Sequence, residues 1–274
     1  MSTKPSTAIV RHPLVELTRA RLLEFLRDPG AFFWVFVFPM LLAVALGIAF
    51  RDGPQTMPGC QTICPPGVSP VGSDPSVRYI DFLIPGLIGL NVMGSCMWGM
   101  GYNLVDSRRR KLLKRFAVTP MNRTHYLLSH MVARLVFLVL EVAALLLFGM
   151  LVFGLEIRGS VPAVSVVALL GTVAFSGPAL LVASRTESTE VASGWMNFVQ
   201  LPMWVLSGSF FDYQRFPEVV HPLVRLLPLT AMNDSLRGLV NHGDPLWAHG
   251  SALLVMAAWG IGGFLLALRI FKWQ

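Results

Sequence analysis

Residues 31–50 read AFFWVFVFPMLLAVALGIAF, twenty positions without a charged side chain. A helix rises about 1.5 Å per residue, so about 20 apolar residues cross the roughly 30 Å hydrocarbon core of a bilayer. This stretch therefore reads as a membrane-spanning helix. A basic segment precedes it and no small-residue cleavage site follows it, so it is expected to remain as a first span rather than leave as a signal peptide.

Five more stretches along the chain meet the same length test: 79–102, 126–153, 162–184, 191–211 and 247–268. The expectation is an all-α membrane protein with six transmembrane helices in one domain covering 1–274, with no internal repeat and no soluble domain. Composition agrees. Of the 274 residues, 54% are hydrophobic and only 14% charged, and the mean hydropathy is +0.61. A soluble domain carries about 25% charged residues, so lipid is the solvent for much of this chain.

The formal net charge of +7 would by itself fit a nucleic-acid binder, but the positions of the basic residues exclude that reading. Fifteen Lys and Arg fall in the segments before the first span, between the second and third, between the fourth and fifth, and after the sixth. Six fall on the opposite side, and Arg134 lies within the third span. Cytoplasmic loops carry the Lys/Arg excess. Both termini are thus expected in the cytoplasm, in a multi-pass protein of the inner (plasma) membrane whose surroundings are membrane lipid.

The flanking segments have their own patterns. In 1–30, Leu14, Leu17, Leu22, Phe25 and Leu26 lie on a broad helical arc, as in an amphipathic helix resting at the membrane interface. Asp28-Pro29-Gly30 then turns the chain into the bilayer. The outer segment 51–78 is rich in Pro and Gly and reads as an irregular loop. Its Cys60 and Cys64 fit chance or a loop-tying disulfide better than a metal site. The other outer segment, 212–246, is too apolar for a solvated loop. Val219, Val220, Leu223, Leu226 and Leu227 recur at helical spacing before Pro228, and Leu236, Leu239 and Val240 follow before Gly243. Two short re-entrant helices before the sixth span satisfy this pattern, provided protein or a cavity covers their backbone.

Polar residues inside the spans are the candidates for function. On the second span, Asn91, Ser95, Trp98 and Tyr102 share one helical face. On the fifth, Asn197, Leu201, Trp204 and Gly208 form a similar face with Gln200 beside it. Such faces fit the wall of a substrate path, and they equally fit hydrogen bonding between helices. Glu141 is the deepest ionisable residue. Arg134 is two turns away on about the same face, and about 10 Å of rise puts it far for a direct contact. A hydrogen bond from a neighbouring span is the expected partner of Glu141, ahead of a role in proton transfer. Between the second and third spans, Ser107–Val118 reads as a short basic helix with Arg108, Arg109, Arg110, Lys111, Lys114, Arg115 and Phe116. It fits a docking element for a cytoplasmic partner and, equally, a topology anchor. No phosphate-binding G-x-x-x-x-G-K-[ST], H-E-x-x-H or G-x-S-x-G motif occurs, and the six histidines have no metal-ligand spacing. Neither a catalytic residue nor a metal site is expected.

Two passages carry a resemblance. The first runs from Phe82-Leu83-Ile84-Pro85-Gly86-Leu87 through Asn103-Leu104-Val105-Asp106 to Val118-Thr119-Pro120. The second comprises Leu206-Ser207-Gly208-Ser209-Phe210-Phe211, Arg215-Phe216-Pro217, Leu226-Leu227-Pro228-Leu229-Thr230 and Leu236-Arg237-Gly238-Leu239. Together they resemble the type-2 ABC exporter permeases, in particular the daunorubicin-resistance-type and nodulation-factor-type membrane subunits. The resemblance implies six spans, an N-terminal interfacial helix, a coupling helix between spans two and three, and re-entrant helices before span six. It implies two copies of a separate ATPase that bind ATP and Mg, while this chain holds no cofactor and is not an enzyme. It also implies a second permease copy, identical or a close paralogue, around a path lined by the second and fifth spans. One departure is local: the acidic stretch often found after the second span is reduced here to Asp106, followed by Arg108-Arg109-Arg110. The alternative reading, an ion-coupled secondary transporter or channel, rests on Glu141 alone.

Overall fold

The computed structural model describes residues 15–16, 18–19, 22–23, 27–50, 78–109, 123–186, 188–213 and 216–270, and the regular structure among them is all helical. Helix α1, Pro29–Ala49, starts at a cap. The Asp28 carboxylate accepts the Gly30 N–H at 3.0 Å and the Ala31 N–H at 3.1 Å, and Pro29 stands where no N–H partner exists. Helix α2 comprises Tyr79–Gly94, a π segment Ser95–Tyr102 and a last α stretch Asn103–Arg109. It runs seven residues past the predicted end at 102. Ser107, Arg108 and Arg109, read as the start of a separate basic helix, are therefore the tail of α2. The rest of that basic helix lies outside the described residues, as do Cys60 and Cys64 and most of segment 1–30.

Helix α3 is Arg123–Phe153, α4 Val161–Arg185, α5 Thr189–Leu206 and α8 Gly250–Ile270. Among the described residues, five helices are long and apolar enough to cross a membrane: α1, α2, α3, α4 and α8 with the turn before it. Helix α5 is not among them. Its 18 residues include Glu190, Asn197 and Gln200, which lower its apolarity below that of the others.

Helix α2 is the hub. Leu83, Ile84, Leu87, Ile88, Val92 and Met93 are all buried to 2% exposure or less, whereas α1 and α8 present most of their apolar side chains outward. Helices α4 and α8 touch backbone to backbone. A Cβ added at Gly177 would sit 2.7 Å from the Trp259 carbonyl oxygen, and one at Gly263 would sit 2.8 Å from the Gly177 backbone. Lipid gives apolar helices no reason to associate, so close approach at small residues supplies the attraction instead.

Between α5 and α8 stand two short helices, α6 (His221–Arg225) and α7 (Pro228–Arg237), followed by a π turn, Gly238–His242, that ends at Gly243 in left-handed conformation, φ 72°. Almost every residue of α7 is buried. Met232 lies against Gly171, ten residues into α4, and Asn233 lies against Gly89, ten residues into α2. Trp259, nine residues into α8, donates its indole N–H to the Leu226 carbonyl at 2.8 Å. At about 1.5 Å per residue these contacts lie roughly 13–15 Å below the ends of the helices they touch.

Candidate translocation path and its polar anchors

Asn91, Ser95 and Trp98 of α2 each engage a different neighbouring helix. The Asn91 amide donates to the Val35 carbonyl at 2.9 Å, inside the π segment Phe33–Val37 of α1, where the α-helical ladder is interrupted. Ser95 Oγ donates to Glu141 Oε1 at 3.0 Å. Trp98 Nε1 donates to Gln200 Oε1 on α5 at 2.9 Å, and its ring packs on Tyr102 at 5.7 Å. Four of the residues read as path walls, Asn91, Ser95, Trp98 and Gln200, are thus occupied by bonds between helices. Gln200 faces inward at 1% exposure, while Asn197, Leu201 and Trp204 are exposed on the other side of α5. Trp98 is exposed too.

Glu141 and Arg134 do meet, contrary to the expectation from helical rise. Arg134 Nη1 lies 3.0 Å from Glu141 Oε1, and Nη2 lies 3.5 Å from Oε2. Seven residues bring the two back to nearly the same face, and the arginine stem, lying along the helix, covers the distance that the backbone does not. The predicted hydrogen bond from a neighbouring span is also present, from Ser95. The carboxylate is 1% exposed and the guanidinium 17%, so this is a buried pair in which each charge depends on the other.

The two ends of α2 are fastened. At one end, Arg109 Nη1 donates to Thr189 Oγ1 at 2.9 Å and stands 3.8 Å from the Glu190 carboxylate, joining the tail of α2 to the start of α5. The Glu190 carboxyl is held below its usual range, first by a backbone hydrogen bond and then by the Thr189 hydroxyl. Of the other basic residues read as coupling elements, Arg108 lies on the same helical tail, while Arg110, Lys111, Lys114, Arg115 and Phe116 lie outside the described residues.

At the opposite end Arg78 pairs with Asp81 at 3.1 Å and donates to the carbonyls of Phe153 and Gly154 at the end of α3, at 3.0 and 2.9 Å. Tyr79 Oη donates to the Phe210 carbonyl at 3.2 Å. Tyr213 Oη donates to Asp234 Oδ2 at 3.1 Å. Burial and then the Asp234 carboxylate push the Tyr213 phenol up to about 12, so it keeps its proton and goes on donating at neutral pH.

With this geometry in place, comparison with known proteins decides the family. The family model for the ABC-2 type transporter matches residues 13–240. The chain belongs to the ABC-2 type transporter family. It is similar to "ABC transporter G family member 20" of Dictyostelium discoideum, 26% identical over 230 residues, which are 81% of this chain and 30% of that protein. It is also similar to "Putative transport permease YvfS" of Bacillus subtilis, 23% identical over 185 residues, which are 67% of this chain and 74% of the relative. The chain thus spans about a third of the length of the first of these relatives.

The matched region of this ABC-2 type chain contains residues that the sequence reading did not single out as a site. Arg237 is 3% exposed and sits among Asn233, Ser207 and Ser209, all fully buried. A lone arginine in the otherwise apolar run Leu236 to Val240 is the available signal; the sequence reading uses it as a topology charge and within the resembling passage Leu236-Arg237-Gly238-Leu239, not as a site.

Proposed function

We propose that this chain, as a membrane subunit of an ABC transporter, is the permease of an ATP-driven exporter that moves an amphipathic or hydrophobic substrate (a drug, lipid or glycan-like molecule) out of the cytoplasm. In this reading α5 is a sixth span, α6 and α7 are re-entrant, and the chain sits in the inner membrane with both termini cytoplasmic. Two copies of a partner ATPase hold ATP and Mg and dock at the basic segment after α2. A second permease copy, identical or paralogous, completes the path. The single observation that carries the reading is the fastening of α2 at both ends. Arg109 ties its basic end to α5, and its other end is seated against α7, so one helix reaches from the ATPase dock to the exit. The half-bilayer depth of Leu226, Met232 and Asn233 supports re-entry, because the buried backbone of α7 is covered by α2, α4 and α8. An ion-coupled mechanism would call for a carboxylate free to load, and Glu141 is paired with Arg134 and Ser95.

Reversing Arg109 and Arg115 to Glu together is expected to lower export several-fold while the permease still inserts. Exposed pairs are individually weak, about 0.2–1 kcal/mol, so reversing Arg115 alone should change little. ATPase pull-down and export assays on the double variant check this. Full ATPase association with full export would reduce the segment to a topology anchor.

In this reading a second copy meets the first on the exposed faces of α2 and α5. With Ser95 and Gln200 buried, the proposed shared wall comprises Trp98, Asn197 and Trp204. In a two-fold pair a residue near the axis faces its own copy. In a background with native cysteines replaced by serine, Asn197→Cys is expected to form an oxidative dimer at twice the monomer mass. Leu265→Cys, on the exposed face of α8, should not. Equal cross-linking at both positions would assign the α5 face to lipid.

A further inference from the structure

Phe82 and Gly86, at the start of the first passage that carried the family resemblance, meet Gly208, Ser209 and Arg237 of the second, more than 120 residues later in the sequence. Pro85 has no N–H, so the Asp81 carbonyl one turn back has no partner within α2. Asn241 fills that vacancy, its amide donating to Asp81 O at 2.9 Å. Gly208 leaves the end of α5 in left-handed conformation, φ 73°, and its carbonyl accepts Arg237 Nη2. Arg237 Nε donates to the Phe82 carbonyl at 3.2 Å, and its guanidinium lies 3.6 Å over the Phe82 ring. Asp234, one turn back on α7, stands 3.8 Å from Nη1. Gly86 and Gly89 leave α2 without side chains where the Ser209 carbonyl and the Asn233 amide press in. A buried guanidinium is tolerated only where acceptors surround it. Here two of those acceptors are backbone carbonyls from two other elements, so the side chain bridges α7, α2 and the turn after α5.

We infer that Arg237 is a positioning residue that makes α7, the outer half of α2 and the end of α5 one rigid unit. Movement applied to the Arg109 end of α2 is then delivered to the outer rim of the path. The link to transport rests on the exporter reading; the rigid unit itself does not. Removing the guanidinium leaves its carbonyl partners without their charged donor, and hydrogen bonds to charged groups are among the stronger ones.

The test is amide hydrogen exchange on the full chain in lipid nanodiscs, with rhodamine 6G export measured in cells. In Arg237→Gln, amides of 228–242 are expected to exchange about tenfold faster or more, while those of α3 and α4 stay within about twofold. Arg237→Lys should fall between, because its compact ammonium cannot reproduce the planar fork. In the pair Phe82→Cys, Arg237→Cys, a short thiol cross-linker applied after folding should restore slow exchange in 228–242. Where the wild type exports the dye, Arg237→Gln should keep ATP hydrolysis and lose export about tenfold, and the cross-link should recover it. Uniformly faster exchange in all helices would overturn the inference in favour of a general stability role. So would exchange in 228–242 within twofold of wild type, or no recovery on cross-linking. Failure of dye export alone would count against the substrate class and leave the exchange result to decide the rigid unit.

Discussion

Glu141→Leu is expected to destabilise the folded chain by about 3–5 kcal/mol, whereas the double change Arg134→Met, Glu141→Leu recovers most of that loss. The single change strands a guanidinium that is only 17% exposed and whose carboxylate partner lies at 3.0 Å. It also takes away the acceptor of the Ser95 hydroxyl. The double change removes both charges and fills the space with apolar groups of similar size. Its remaining cost is the Ser95 hydroxyl, on the order of 1 kcal/mol. Thermal unfolding in nanodiscs, followed by tryptophan fluorescence, measures both. If the double variant is no more stable than the single one, the unpaired Arg134 charge is not what makes the single change costly.

Gly89→Val is expected to cost about 2–3 kcal/mol or more, and Gly94→Val in the same helix under about 0.5 kcal/mol. The intrinsic helix penalty of valine is common to both. What differs is the space: a Cβ at position 89 overlaps the Asn233 side chain and comes within 3.1 Å of Leu229 Cδ1, while at position 94 nothing lies within 4 Å. Asn233 cannot simply swing away, because its amide donates to Ser209 Oγ at 2.9 Å. The damage should therefore spread to the turn after α5. Unfolding midpoints of the two variants give the comparison, and equal losses would mean that the α2–α7 seat is not tight.

Much of the helical framework was legible because hydrocarbon thickness sets helix length and apolar runs mark it directly. The stretches 31–50, 126–153 and 162–184 correspond to α1, α3 and α4 to within three residues at each end. The end of α2 was missed. Asn103 to Arg109 is polar, and hydropathy records solvent, whereas a helix continues into water while its backbone bonds continue. The stripe Asn91, Ser95, Trp98 and Tyr102 rests on α-helical spacing, whereas Ser95–Tyr102 is a π segment, and its partners, Val35, Glu141 and Gln200, depend on which helix packs where. The distance from Arg134 to Glu141 was misjudged because backbone rise was counted without the length of the arginine stem. Arg237 was hardest to read. Its acceptors are the main-chain carbonyls of Phe82 and Gly208, and no pattern of side-chain types announces a carbonyl.

The central claim is that this ABC-2 family chain exports an amphipathic molecule using ATP hydrolysed by a partner. The most direct test uses inside-out vesicles containing the tagged chain with the ATPase that co-purifies with it, and follows rhodamine 6G accumulation. The account predicts accumulation with ATP, none with a non-hydrolysable analogue, and no effect of a protonophore. Accumulation driven by a proton gradient without ATP, in vesicles containing the chain alone, would contradict it.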